Sequence, residues 1–554
     1  MTLHPVNQWE IPAQTTKIAR ASFPKGNMYM KMYDELGVLY ADREFAALFP
    51  TTYGKSAMSP GKLALITVMQ FAEGLSDRQA ADAVRSRIDW KYALGLEITD
   101  SGFDCSVLSE FRARLCEHDF GNKLLDLMLV KFQEKKLIKE RGKQRTDSTQ
   151  VIAAIRQLNR LELVGETIRS ALNSIAEVAP SWLKAIMSDE WFERYSERFD
   201  NYRLPKDKKE RSELALKIGF DGHYLLHHIW FGSENQGNLC ELDSVETLRK
   251  VWLQQYTFDH SGLRWRDPEK TGLPPNSICI ESPYDIEARN SSKREINWTG
   301  YKVHLSETCD ESTPNLITHV QTTAATTPDG EITSMIHQQL AQKDLLPQEH
   351  YVDAAYVDAY QLVESNQAYQ VSLFGPVAVD TSWQAKLKTG FDVSAFVIDW
   401  DKEVAICPQG NSNRLWRSAR DCNHNPLIEI VFDRQTCAAC PVRNLCTSSA
   451  TAARKIKLRP RDEYQALVER RHQQQTPQFQ QNYARRAGVE GTISQAVGRF
   501  DLRRTRYFGL AKTHLQHIAT ACAINLSRFF DWSNHATVAR TRTSSFARLR
   551  VHCA

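Results

Sequence analysis

RTDSTQVIAA, residues 145–154, decides the fold: it is rich in Thr and Val and predicts a short strand leading away from Asp147. A basic hinge, KKLIKERGKQR (135–145), precedes it. Downstream, WTGYKVHLSETCD (298–310) and PNLITHVQTTAA (314–325) alternate apolar and polar residues over strand lengths. With the polar loop and Pro314 between them they predict an antiparallel hairpin. EITSMIHQQLAQKDL (331–345) has helical spacing, and HYVDAAYVDA (350–359) opens as a short strand ending near Asp353. Strand, hairpin, helix and strand, set among helical segments, predict an α+β or α/β architecture with insertions.

On the N-terminal side the pattern is helical. MSPGKLALITVMQFAEGL (58–75), SVLSEFRARL (106–115) and NKLLDLMLVKFQEKKL (122–137) are apolar at helical spacing. Between them, Ser76 with Gln79 three residues on forms a capping box, which makes 74–96 a helix-turn-helix candidate. Helical periodicity returns over 157–275, as in LNRLELVGETIRSALNSIAEVAP (158–180) and SVETLRKVWLQQY (244–256), and predicts a helical insertion. Toward the C-terminus, TPQFQQNYARRAGVEGTISQAVGRF (476–500) and GLAKTHLQHIATACAINLSRFFDW (509–532) predict two further helices.

The 554 residues suffice for about three to four domains. With 42% apolar and 25% charged residues, collagen, mucin and long coiled coil are excluded. No run approaches ~18 uncharged apolar residues, and MTLHPVNQWEIPAQTTK lacks the succession of a secretory signal. A cytoplasmic protein with no membrane partner is expected. The net charge of +4 hides an asymmetry, because residues 451–554 carry 19 Lys+Arg against 6 Asp+Glu, a net of +13. Residues 1–450 are therefore at −9. A polyanion such as nucleic acid fits the basic end; a solvated basic tail is the plainer alternative.

Asp147 in the first strand, Asp353 at the end of a later one and Glu490 on a C-terminal helix are the candidate acids. Strand ends of an open sheet gather ligands. Two such carboxylates with a third from a packed helix can hold two oxygen-preferring divalent ions, an arrangement suited to phosphoryl transfer on nucleic acid. Tyr483, Arg486 and Glu490, spaced by three and four, share one helix face. A solvated Arg–Glu pair is the alternative there. Asp358 competes with Asp353, which is preferred because it follows HYV directly; Asp285 and Asp329 are expected to be solvated loop acids.

With these pieces in order, the chain resembles the DDE transposases of bacterial insertion sequences, in the branch with a Tyr-x-x-Arg-x-x-x-Glu signature. The resemblance is carried by RTDSTQV, WTGYKVHL, HYVDAAYVDA, NYARRAGVEGTISQAV (482–497) and FDLRRTRYFGLAKTHLQHIATACAINLSR (500–528). It implies a ribonuclease-H-like mixed-sheet core, two Mg²⁺ (or Mn²⁺) ions on Asp147, Asp353 and Glu490, and cleavage and strand transfer at the terminal inverted repeats of double-stranded DNA. It also implies a homodimer in the synaptic complex and a nucleoid-associated location. Tyr483 and Arg486 match residues that contact DNA, and Arg499, Arg503, Arg504 and Arg506 in the basic run that follows are assigned to the same contact. Where the family has a basic residue seven positions after the glutamate, this chain has Val497: either Arg499 substitutes or that DNA contact is missing.

The implied organisation is a helical DNA-binding domain (1–140), a first core strand (141–156), a helical insertion (157–275), further core (276–400), a cysteine-rich insertion (401–450), core helices (451–532) and a basic tail (533–554). A non-catalytic DNA-binding protein and a metal-dependent nuclease without strand transfer remain as alternatives.

Five of the twelve cysteines lie between Cys407 and Cys446. Cys437, Cys440 and Cys446 form C-x-x-C-x(5)-C, and with Cys407 they have the makings of a closed structural Zn²⁺ site, with Cys422 as spare. A redox C-x-x-C and free buried thiols are the alternatives. His223 and His227 have ligand spacing but lack the glutamate of H-E-x-x-H, and no phosphate-binding glycine loop is present.

Overall fold

Lys143–Ile152 forms the central strand, β1, of a six-stranded mixed sheet. The computed structural model describes every residue except 1, 50–53, 233–237, 261, 388, 450, 537–545 and 547–554, so most of the expected basic tail lies outside the described residues. The other strands are β2 (Arg289–Lys293), β3 (Ile296–Thr308), β4 (Ile317–Ala324), β5 (Glu349–Tyr351) and β6 (Ser372–Phe374). The sheet runs β2-β3-β1-β5-β6, and β4 also pairs with β3. β3 is antiparallel to β1, β2 and β4, whereas β5 is parallel to β1 and β6 parallel to β5.

Gly300 lets β3 serve so many neighbours. Its φ is +152°, and a Cβ there would stand 2.2 Å from the Val151 carbonyl oxygen, so only glycine fits this crossing of β1 and β3.

The N-terminal helices, the inner face of the sheet and the helix Leu510–Ser533 share one apolar core, from Leu63, Phe111 and Met128 through Val303, Leu305 and Ile317 to Ile518 and Leu526. Leu510–Ser533 is buried along most of its length and carries Asn525 to the edge of β4. There the Asn525 amide donates to the Ile317 carbonyl at 2.8 Å and accepts from its N–H at 2.7 Å, so the sheet edge is not left unpaired. The Ser76–Gln79 capping box is present, opening the helix Asp77–Ser86. Only Arg87 separates that helix from Ile88–Leu94, and Arg87 is held by Glu73 and Asp89.

The expected helical insertion has its own core, in which Val164, Ile168, Ile218, Leu225, Leu248 and Val251 meet. It ends in a short hairpin, Tyr256–Asp259 with Gly262–Trp265. The cysteine-rich segment adjoins a small antiparallel sheet, β7 (Asn413–Arg420), β8 (Pro426–Phe432) and β9 (Lys455–Leu458), whose core includes Phe396, Ile430 and Phe432. The expected single helix over 476–500 is instead Pro477–Tyr483, a tightened turn Ala484–Ala487 and Gly488–Phe500. Among the described residues no helix is long and apolar enough to cross a membrane.

Candidate active site

The parallel register of β1 on β5 pairs Lys143 with Glu349 and Arg145 with Tyr351. Two residues further along both segments, Asp147 therefore comes beside Asp353. Asp147 accepts from the Ser148 N–H at 2.8 Å, and Asp353, just past the end of β5, accepts from the Ala354 N–H at 2.6 Å. Asp358 is instead the N-cap of the helix Ala359–Tyr369, accepting from the Gln361 N–H at 2.9 Å, and that contact explains its place in the sequence.

Glu490 arrives on the helix Gly488–Phe500, and one guanidinium links it to the two aspartates. Arg486 Nη2 lies 2.7 Å from Asp147 Oδ2 and 3.8 Å from Asp353 Oδ2, while Nη1 lies 3.1 Å from Glu490 Oε1. The i,i+4 pair thus exists, but the same arginine also crosses to the sheet. The side chains of Asp147, Asp353 and Glu490 are 14%, 42% and 64% exposed, so the cluster opens from a buried floor to an accessible rim.

Burial pushes the Asp147 carboxyl above its ordinary pKa, and Asp353 adds to this, although Arg486 and the Ser148 N–H oppose it. The Arg486 guanidinium is raised, because the surrounding carboxylates outweigh the burial that works against its charge. Tyr483 is raised by burial and by all three acids; its ring stacks on Phe479 at 5.9 Å.

The placement of this helix depends on a buried ionic anchor that sequence reasoning missed. Glu307 on β3, fully buried, accepts from Arg145 Nε at 2.7 Å, Arg528 Nη1 at 2.7 Å and Thr492 Oγ1 at 2.6 Å. Arg145 also donates from Nη1 to the Arg485 carbonyl at 2.8 Å, tying β1 to the turn that carries Arg486. A helical pattern alone cannot reveal these partners, since they come from β1, β3 and the last helix.

Asp329 and Asp285 are not solvated loop acids. Asp329 pairs with Lys302 at 3.0 Å and accepts from Ser148 Oγ at 3.3 Å, next to Asp147, while Asp285 is buried and accepts from the Tyr301 hydroxyl at 2.6 Å. The loops that carry them fold back onto β3, which supplies both Lys302 and Tyr301.

The basic candidates divide. Arg503 donates to Thr149 Oγ1 at 2.9 Å, two residues along β1 from Asp147. The main chain beside Arg504 pairs with Ile152, leaving its side chain exposed. Arg506 donates to the Leu75 carbonyl at 3.0 Å and lies over Phe71, joining the N-terminal helices to the core. Arg499 donates to Ser527 at 2.9 Å, and Val497 packs against the apolar core.

The donor set of Asp147, Asp353 and Glu490 is all carboxylate oxygen, the chemistry preferred by hard divalent cations, and a guanidinium already lies among the three. The residues therefore fit Mg²⁺ or Mn²⁺. Among the described residues no group of three or more His, Cys, Asp or Glu side chains stands at the spacing of a metal cage. His223 and His227 pack on Phe258 and Phe231.

Residues 406–530 match a family model described as a transposase DDE domain, and residues 18–114 match one described as a transposase domain (DUF772). The first match includes Tyr483, Arg486 and Glu490; Asp147 and Asp353 lie outside both. Neither a curated protein nor a solved structure matches the chain. Two transposase matches, one toward each end of the chain, support a DDE transposase of an insertion sequence.

Proposed function

We propose that this chain binds the terminal inverted repeats of its element as a homodimer in the synaptic complex and cuts and rejoins DNA there by a two-metal DDE mechanism. The observation that carries the reading is the meeting of three acids, distant in sequence, at one arginine. The strand order, with an antiparallel β4-β3-β1 half continued by parallel β5 and β6, supports a ribonuclease-H-like core.

Asp147 and Asp353 would hold the two Mg²⁺ or Mn²⁺ ions together with Glu490. When bound, such ions polarise the scissile phosphodiester and make water or a 3′ hydroxyl a better nucleophile. Arg486, already charged and aimed into the cluster, is placed to pair with a backbone phosphate, and Tyr483 offers a hydroxyl beside it. Arg503 and exposed Arg504 extend the basic rim along β1.

The test incubates purified protein with duplexes carrying the element's terminal repeats and Mg²⁺. Nicking and end joining are expected, with a loss of at least about 10³-fold in Asp147→Asn, equivalent to ~4 kcal/mol of barrier. Retarded migration with intact DNA would identify a binder without catalysis, and cleavage without joined products a nuclease.

A further inference from the structure

We propose that Cys407, Cys437, Cys440 and Cys446 form a tetrathiolate site for one zinc ion, which ties the turn before β7 to the segment that links β8 to β9. The four side chains line a single cavity of about 40 Å³, walled by Phe391, Phe396 and Phe432. A cavity of this size has room for one ion or a few waters. The chain brings the thiols there from two directions. Cys407 sits at the mouth of a tight turn, its carbonyl accepting from the Gly410 N–H at 2.8 Å and its own N–H donating to the Asn411 carbonyl at 2.9 Å. Cys437 lies in the short helix Arg434–Ala438, Cys440 just beyond it, and Cys446 ends the helix Arg443–Cys446.

A second feature points to thiolates rather than thiols. Arg443 and Arg454 also line the cavity. Arg443 Nη1 and Arg454 Nε are buried donors with no hydrogen-bond partner among the described residues. Buried guanidinium N–H groups of this kind favour an anionic neighbour over neutral thiols. The charges also match, since four thiolates on one Zn²⁺ leave −2 and the two guanidiniums bring +2. Asn411 adds a third donor, its Nδ2 lying 3.8 Å from Cys407 Sγ.

The test is elemental analysis of the full-length protein purified without chelator, alongside Cys437→Ser, Cys440→Ser and Asp147→Asn. One zinc per chain is expected in the parent and in Asp147→Asn, falling to near zero in either serine variant. Asp147→Asn separates this site from the carboxylate site, which takes hard cations. Should the serine variants fail to fold, the parent still decides: a zinc chelator is expected to make four more thiols reactive to maleimide. A parent without zinc whose four thiols react freely, one lighter by the mass of two hydrogens through a Cys437–Cys440 disulfide, or zinc retained by Cys437→Ser would each overturn the proposal.

Discussion

Replacing Gly488 by alanine should disable the protein through one methyl group. Gly488 opens the helix that carries Glu490, and a Cβ there would stand 1.9 Å from Nη1 and 2.3 Å from Cζ of Arg145. A free arginine would swing aside at little cost. This one is pinned by Glu307 at 2.7 Å and by the Arg485 carbonyl at 2.8 Å, with only 9% of its side chain exposed. Ordinary contact needs roughly 3.5 Å, so either the guanidinium or the helix must yield by roughly 1.5 Å. If the guanidinium yields, the buried pair with Glu307 breaks, at a cost of about 3–5 kcal/mol. If the helix recoils, Glu490 leaves Asp147 and Asp353, and a misplacement of ~1 Å can cost about 10²-fold in rate. Gly498→Ala is the matched control, on the same helix with nothing within 4 Å of the new Cβ, and should gain up to about 1 kcal/mol. Thermal denaturation followed by circular dichroism, with Mg²⁺-dependent cleavage of end-bearing duplex, separates the two routes. A Gly488→Ala protein that melts with the control and cleaves at the parental rate would refute the packing argument.

Two further outcomes follow from buried charge. Burial holds the imidazoles of His304, His337 and His514 down to about 4 and those of His319 and His517 to about 3, against ~6.5 in an unfolded chain. Below about pH 6.5 the unfolded chain takes up protons that the folded chain refuses, so stability is full above that pH and declines as the pH falls toward 4. Tryptophan fluorescence against pH should show the decline beginning between about 6.5 and 5; onset only below about 4, where carboxylates protonate, would count against it. Glu307→Gln leaves Arg145 and Arg528 without their shared counter-charge and should cost about 3–5 kcal/mol, lowering the melting temperature well below that of Asp147→Asn. Equal melting of these two variants would show that the anchor contributes little.

Local pattern made much of this molecule readable from sequence. The Thr- and Val-rich run around Asp147, the alternating 298–325 hairpin and the apolar helices all announce themselves through neighbours in the chain, as do the Ser76 cap and the acid after HYV. β7 did not, because NRLWRSAR is partly or fully exposed along its whole length and so lacks an apolar alternation to read. Nor did Asp285 and Asp329, whose burial depends on Tyr301 and Lys302 delivered by a different strand.

The candidate site divides along the same line. That Tyr483, Arg486 and Glu490 share a face follows from their spacing, but spacing alone leaves the arginine equally able to pair with Glu490 in solvent. What commits it to the sheet is Arg145, which is hydrogen-bonded at one side of its guanidinium to Glu307 and at the other to the carbonyl just before Arg486. Arg145 lies two residues before Asp147 on β1, so the strand that presents the first acid also fixes the turn that brings the arginine to it. The alignment of the second acid comes from the β1–β5 register, a relation between segments about 200 residues apart that no local periodicity encodes.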